Sequence, residues 1–125
     1  MKPRKLTTPN GRSVKAHSGR EWENKVAQFF QDHGWPNTQR NGTIYGKHDR
    51  GDISGIPCTV QCKSVARVQM WDHLNDALVQ AINNGTGDKT IVVYKRHGKS
   101  CPSQGAWVLP GSFAMQLLKA YFSEK

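Results

Sequence analysis

The run Thr90-Ile-Val-Val-Tyr94 is apolar and bounded by charged residues, which is typical of a central β-strand. A strand of this kind must be covered on both faces, and amphipathic helical patterns occur before and after it in the chain. We therefore expect a sheet with this strand at its centre and helices packed against it.

Three segments have apolar residues at helical spacing. The first begins at a capping box, Ser18-Gly-Arg-Glu21, and runs to about His33, before Gly34. The second covers 71–84 and ends at Gly85, and the third follows Ser112 as its N-cap. The side chains expected to face inward are Trp22, Val26, Phe29 and Phe30 in the first helix, Trp71, Leu74, Ala77, Leu78, Ala81 and Ile82 in the second, and Phe113, Leu117, Leu118 and Tyr121 in the third.

The remaining strands are short. One is predicted near 43–45, two more over 52–56 and 59–63, and a last one over 107–109. The resulting order, α-β-β-β-α-β-β-α, defines an α/β or α+β domain with a mixed sheet flanked by helices. Residues 18–125 form this single domain, and residues 1–17, which contain five basic and no acidic side chains, are predicted to be a flexible basic arm.

The charge balance points to a polyanionic partner. The 125 residues include 18 Lys+Arg and 9 Asp+Glu, a formal charge of +9, which favours nucleic acid or an anionic membrane surface. No apolar run approaches the roughly 18 residues that span a bilayer, so we expect a soluble, cytoplasmic protein. The three cysteines lack metal-site spacing, and Cys58 and Cys62 are expected to be buried free thiols on one face of a strand.

Polar residues around one predicted hairpin suit metal-assisted phosphodiester chemistry. Gly51-Asp52 precedes its first strand, and Gln61-Cys62-Lys63 lies on its second. A turn centred on residues 56–57 sets Asp52 opposite Gln61, and Lys63 shares the face of Gln61 because side chains alternate along a strand. On the first helix, Glu23 lies about 65° from the centre of the apolar stripe whereas Glu21 lies about 135° away, so Glu23 is at the edge of the core.

These side chains can hold a divalent cation. Carboxylates of Glu23 and Asp52, the amide oxygen of Gln61 and the backbone carbonyl of Cys62 are oxygen ligands of the kind that Mg²⁺ or Mn²⁺ takes. Lys63 would orient the attacking water and offset phosphate charge. The sequence therefore predicts a metal-dependent nuclease.

Glu23, Gly51-Asp52 and Gln61-x-Lys63 together resemble the PD-(D/E)xK nuclease superfamily, most closely the archaeal-type and phage Holliday junction resolvases. The likeness covers residues 18–64 well and the rest in the order of its elements. It implies a restriction-endonuclease-like fold, metal ligation by Glu23, Asp52 and Gln61, catalysis by Lys63, and a homodimer that cuts four-way junctions. The resemblance also implies a protein that associates with the nucleoid, and it is compatible with a phage-encoded protein that acts in a host cell.

Two positions depart from the family pattern. Gly51 stands where a proline usually precedes the aspartate, and Gln61 replaces the usual acidic residue. The loss of one negative charge should weaken metal affinity or favour a single metal ion. A restriction-like or repair nuclease acting on duplex or flapped DNA, and a non-catalytic basic DNA-binding module of the same fold, remain as alternatives.

Further DNA contacts are expected from basic and polar side chains near these elements: Lys15, Arg20, Lys47, Arg50 and Gln80. Gln80 is equally compatible with a solvent-facing position on the second helix. Lys95, Arg96 and Lys99 fit either the basic surface or ordinary solvation. His33 and His73 are interpreted as ordinary helix residues.

Overall fold

The computed structural model describes residues 14–41 and 51–123, with side chains from Gly19 onward. This part of the chain contains three α-helices and five strands in the predicted order. Their bounds are α1 Val14–Asp32, β1 Gln39–Arg40, β2 Ile53–Ser54, β3 Thr59–Lys63, α2 Met70–Asn84, β4 Thr90–Tyr94, β5 Ala106–Val108 and α3 Gly111–Phe122, with a 3-10 turn at Pro102–Gln104. The fold is α+β, as expected, and both β3 and β4 have the predicted bounds.

The five strands form one mixed sheet in the order β1-β2-β3-β4-β5. Strands β3 and β4 are parallel and the other neighbours are antiparallel. Helix α2 connects the two parallel strands, as a parallel pair requires a crossover. All five residues of β4 are buried, as expected of an interior strand, and β4 lies between β3 and β5. The middle strand of the five is β3, so the apolar run is one strand away from the predicted centre.

The sheet has a core on each face. On one face α1 and the start of α3 pack on β3 and β4, and the indole Nε1 of Trp22 donates to the carbonyl of Val93 over 3.1 Å. This cluster contains Trp22, Val26, Ala27, Phe30, Ile53, Cys58, Val60, Cys62, Ile91, Val93 and Phe113. On the other face α2 packs through Leu74 and Ala77 on Val92 and Tyr94. Cys58 and Cys62 are buried free thiols, as predicted.

A buried polar network joins α2 to the beginning of the parallel strands. The hydroxyls of Thr59 and Thr86 lie 2.7 Å apart, and Asn84 donates to the Thr59 hydroxyl over 2.9 Å. The Thr90 hydroxyl donates to the carbonyl of Thr59. Buried hydroxyls need partners, and these pairings fix the end of α2 against β3 and β4.

The first helix begins earlier than its predicted capping box. It starts at Val14, so Ser18 lies inside the helix and is not its N-cap. No Gly or Pro interrupts 14–18, so these residues continue the helix that the capping-box pattern was expected to start. Residues 14–17, assigned to the arm from the sequence, are helical.

The strand predicted near 43–45 lies outside the described residues. Within them β1 is the pair Gln39–Arg40, which continues from the turn after α1. The strand before the hairpin turn is shorter than predicted, because its paired part is limited to Ile53 and Ser54. The last strand is displaced by one residue, since it covers Ala106–Val108.

The inward faces of α2 and α3 were predicted only in part. On α2, Leu74, Ala77 and Ala81 are buried as expected, but Trp71 and Ile82 are 68% and 73% exposed. On α3 only Phe113 is buried, whereas Leu117, Leu118 and Tyr121 are exposed. Ser112 does not cap α3; its hydroxyl bonds the carboxylate of Asp88. Helical spacing identifies an apolar face, but the small sheet covers only part of each face.

Candidate active site

Asp52 is held at the start of β2 by the chain on both sides of it. The amide of Asp52 donates to the carbonyl of Val60, and its carbonyl accepts from the amide of Asn41, each over 2.8 Å. Its Oδ2 accepts from the backbone amide of Cys62 over 2.6 Å. This charge-assisted bond orients the carboxylate toward the second half of β3.

The backbone conformation at Gly51 explains why no proline precedes Asp52. Its φ is +97°, and a Cβ there would lie 3.0 Å from both the Thr59 side chain and the Val60 carbonyl. Proline, whose φ is fixed near −65°, cannot adopt this conformation. Asn41, itself buried, donates from its side chain to the Gly51 carbonyl over 3.0 Å and so holds the same turn.

The predicted strand register is present. Ile53 pairs with Val60, which is the partner that the predicted register requires. Asp52 itself lies just before the strand and bonds Val60 and Cys62 through its backbone and side chain. Gln61, next to Val60, is 8% exposed, and its side-chain oxygen has no hydrogen-bond partner among the described residues.

The Cys62 side chain belongs to the core under α1 and is influenced by three charged side chains near β3. Burial raises the pKa of its thiol well above the ordinary value, the charges of Asp52 and then Glu23 raise it further, and Lys63 opposes them. The charges of these three side chains therefore all act on the second half of β3. The thiol stays protonated, so only the backbone carbonyl of Cys62 is available as the predicted ligand.

Glu23 is at the edge of the core, as its helical phase predicts, but it has a partner that the sequence did not reveal. Its Oε1 accepts from Nε of Arg40 over 2.8 Å, and the two side chains are 20% and 32% exposed. Arg40 is on β1, next to the strand that follows Asp52. In this arrangement the Glu23 charge is neutralised by an arginine.

A histidine and a tyrosine lie beside Lys63. Nδ1 of His73 and the hydroxyl of Tyr94 are 2.7 Å apart, and Tyr94 is paired with Lys63 across the parallel strands. Burial and the positive charge of Lys63 lower the pKa of His73, against the opposing charges of Asp76 and Asp72. His73 therefore favours its neutral form, in which it hydrogen-bonds the tyrosine.

The sequence did contain a signal for His73. Positions 73, 77 and 80 are spaced i, i+4 and i+7, which puts His73, Ala77 and Gln80 on one side of α2. Ala77 is buried against β4, and the side-chain oxygen of Gln80 is also buried. Gln80 thus faces the sheet side of α2, and His73 lies two turns before it on the same side.

The other predicted DNA contacts have mixed outcomes. Arg20 is half-buried on α1, one turn before Glu23. Lys47 and Arg50, and the side chain of Lys15, lie outside the described part of the chain. Where the structure describes the chain, no three His, Cys, Asp or Glu side chains form a group able to hold a metal ion. The candidate ligands among the described residues are two carboxylates, one amide oxygen and the backbone carbonyl of Cys62.

Two basic loops leave the sheet at the end where Lys63 lies. The loop after β3 carries Arg67, and the loop after β4 carries Lys95, Arg96 and Lys99; neither contains an acidic residue. The carboxyl ends of parallel strands meet at one edge of a sheet, and the amide of Lys95 donates to the carbonyl of Lys63 over 2.9 Å. The lysine of the candidate site therefore lies at the sheet edge from which both basic loops leave.

Comparison with protein-family models, with curated proteins and with solved structures found no match. In the described residues, none of the helices combines the length and the apolar character needed to cross a bilayer.

Proposed function

We propose that this protein is a metal-dependent endonuclease that hydrolyses phosphodiester bonds in branched DNA. The observations that carry this function are the positions of Asp52 and Lys63 at the second half of β3, and the buried amide oxygen of Gln61 in the same strand, which has no hydrogen-bond partner among the described residues. Buried polar atoms are nearly always hydrogen-bonded, so an oxygen left without a partner is available to a ligand.

The donor set fits a hard divalent cation. Carboxylate and amide oxygens are ligands for Mg²⁺ and Mn²⁺, and the buried thiol of Cys62 is not. Bound here, such an ion would supply phosphate charge neutralisation and water activation. Asp52 and Gln61 would hold it, and Glu23 would join them if Arg40 moved away to a DNA phosphate. Lys63 would bind the scissile phosphate and orient the water.

The basic loops account for the DNA partner. Arg67, Lys95, Arg96 and Lys99 extend from the edge that carries Lys63, and phosphate contacts from such side chains supply most non-specific affinity for DNA. A four-way junction presents several duplex arms to one basic face. A four-way junction is also the substrate that the resolvase-like pattern of Glu23, Asp52, Gln61 and Lys63 implies.

A homodimer is part of this function, because two strands must be cut to resolve a junction. Helix α3 supplies a surface for it, since its exposed apolar side chains lie together on one helix: Met115, Leu117, Leu118, Tyr121 and Phe122. Large contiguous apolar patches are rare on monomers and mark interaction surfaces. A second copy meeting it through the same surface gives a two-fold arrangement.

The Glu23–Arg40 ion pair favours one other function, a DNA-binding module without cleavage. If that pair is permanent, Glu23 cannot bind the metal, and Asp52 is then the one carboxylate that the proposed site keeps within the described residues. Such a protein would bind branched DNA with a steep salt dependence and would not cut it.

Cleavage assays separate these functions. Purified protein is incubated with four-way-junction, flap and linear duplex DNA, with Mg²⁺ or with EDTA. We expect Mg²⁺-dependent cuts in the junction, and a loss of at least ~100-fold in cleavage rate for Asp52→Asn and for Lys63→Ala, because each removes charge at the reacting phosphate. DNA affinity should change little, since it comes from the basic surface.

Exposed residues of α1 provide matched controls. Asp32→Asn and Lys25→Ala make the same chemical changes away from β3 and should leave cleavage unchanged. Glu23→Gln should inactivate, whereas Glu21→Gln should not. Junction binding without cuts in any metal would establish the non-catalytic module, and near-normal cleavage by Asp52→Asn would show that the site is elsewhere.

A further inference from the structure

A surface cavity lies next to the candidate active site on the α2 face of the sheet. Its volume is about 480 Å³. Apolar side chains and backbone form most of its wall, with two cations and one amide: Val68, Met70, Tyr94, Lys95, Arg96, Gln104, Gly105, Ala106 and Val108. Neither the metal ligands nor Lys63 belong to this wall, so its role is separate from the hydrolytic chemistry.

The strand register connects this cavity to Lys63. Lys63 pairs with Tyr94, and Tyr94 pairs with Ala106, so the three residues form a row across the sheet. Neighbouring strands are about 4.8 Å apart, which puts Ala106 about 10 Å from Lys63 along this row. Along one strand of duplex DNA, about 10 Å corresponds to roughly three nucleotides, and to fewer when the strand is unstacked and extended.

We propose that this cavity binds a single unstacked base of the DNA strand, at most about three nucleotides from the phosphate held by Lys63. The cavity's role rests on the proposed function, because it requires DNA to lie across the end of β3. Its volume falls within the range of small-ligand pockets, and apolar walls with a few polar groups suit the faces of a base. Lys95 and Arg96 would neutralise the phosphates on either side of that base.

The hydrogen bond between His73 and Tyr94 holds one side chain of the cavity wall in place. It satisfies the Tyr94 hydroxyl from the α2 side, so the ring is fixed between Lys63 and Ala106 in the row. Gln104, on the 3-10 turn, provides an amide that can hydrogen-bond a base edge. Junctions, flaps and unpaired sites expose such bases, whereas intact duplex does not. The cavity therefore gives a preference for branched or unpaired DNA.

Binding in EDTA tests the cavity independently of cleavage. Two duplexes without a junction are compared: one is fully paired, and the other has a single unpaired base. The fluorescent base 2-aminopurine occupies that position in both. We expect the wild-type protein to prefer the unpaired DNA by about tenfold, the lower range of one base-stacking contact, and fluorescence to rise as the base leaves the stack. Ala106→Phe fills the cavity from an exposed edge-strand position and should reduce the preference to less than about twofold, with duplex affinity unchanged.

Ala120→Phe on exposed α3, which packs on the opposite face of the sheet, is the matched control and should keep both the preference and the fluorescence rise. If Ala106→Phe fails to fold, as thermal melting would reveal, Val68→Trp fills the cavity from an exposed loop residue instead. An unchanged preference in the folded variant, or none in the wild type, overturns the cavity's role. If the same proteins still cut junctions in Mg²⁺, only the role of the cavity is wrong and the proposed nuclease function stands. If the preference depends on the cavity but no metal supports cleavage, the nuclease function is wrong and the role of the cavity stands.

Discussion

In the proposed metal site, the amide oxygen of Gln61 is the ligand that an experiment can test most directly. It is buried in β3, two residues before Lys63, and β3 pairs with the strand that follows Asp52. A glutamate here would add the negative charge that the PD-(D/E)xK pattern has at this position, but in a buried position it would also need a cation. This gives an experiment whose readout does not depend on activity.

Gln61→Glu should make folding more dependent on metal. Without Mg²⁺ the new carboxylate is buried beside Asp52, so we expect a lower melting temperature than that of the wild type. Adding Mg²⁺ should raise the melting temperature of this variant more than that of the wild type, because a ligand that binds the native state stabilises it. Thermal melting with and without Mg²⁺ measures both effects.

Gln61→Ala completes the test by removing the oxygen. It should need more Mg²⁺ for cleavage than the wild type, since one ligand is lost where near-octahedral coordination is required. Gln28→Ala, on the exposed side of α1, is the control. If the Mg²⁺ dependence of melting and cleavage were the same for wild type and both Gln61 variants, Gln61 would not be a ligand.

At the scale of elements, the turn before β2 determines the position of Asp52. Gly51 has a left-handed φ and packs against Thr59 and Val60, and Asn41 bonds it from β1's end. The aspartate is thus aimed by backbone geometry as well as by its bond to the amide of Cys62.

Gly51→Ala should damage both stability and activity. The positive φ and the close contacts lead us to expect a loss of about 1–3 kcal/mol in the free energy of unfolding, together with slower cleavage, because Asp52 is displaced. Gly19→Ala is the matched control: Gly19 is helical, nothing lies within 4 Å of an added Cβ, and the change should increase stability by about 0.5–1 kcal/mol. Urea denaturation measures both. Equal effects of the two changes would show that the turn is not strained.

On the scale of the whole molecule, the described chain leaves α3 largely uncovered. Phe113 anchors the helix on the α1 face of the sheet, and the apolar residues beyond it are exposed. Burying apolar area is the main source of association energy, so a second copy is the partner that the proposed function requires here.

Leu118→Lys should therefore convert a dimer to a monomer. A charge placed in the interface would be desolvated without a partner, which raises the cost of association. Val79→Lys makes the same kind of change at an exposed apolar position of α2 and should leave the dimer intact. Sedimentation equilibrium gives the mass of each protein. A wild-type monomer, or a dimer that persists in Leu118→Lys, would contradict an interface on α3.

The sequence alone determined the elements whose patterns are local. The apolar run at Thr90–Tyr94 and the alternation at Thr59–Lys63 identified both parallel strands with their bounds, and the hairpin turn predicted the pairing of Ile53 with Val60. Helical phase also identified Glu23 as a residue at the edge of the core. These features depend on spacing of a few residues, which a sequence displays directly.

Only the tertiary structure decided which side chains meet across the fold. Arg40 pairs with Glu23 from 17 residues away, and His73 meets Tyr94 from 21 residues away. Helical spacing places His73 on the sheet side of α2, but it does not identify Tyr94 as the partner. The exposure of Ile82 and Leu118 was equally hidden, because a helix pattern gives the direction of an apolar face but not the extent of the sheet beneath it. Whether an apolar side chain is buried depends on the partner that covers it, and that partner comes from a distant part of the chain.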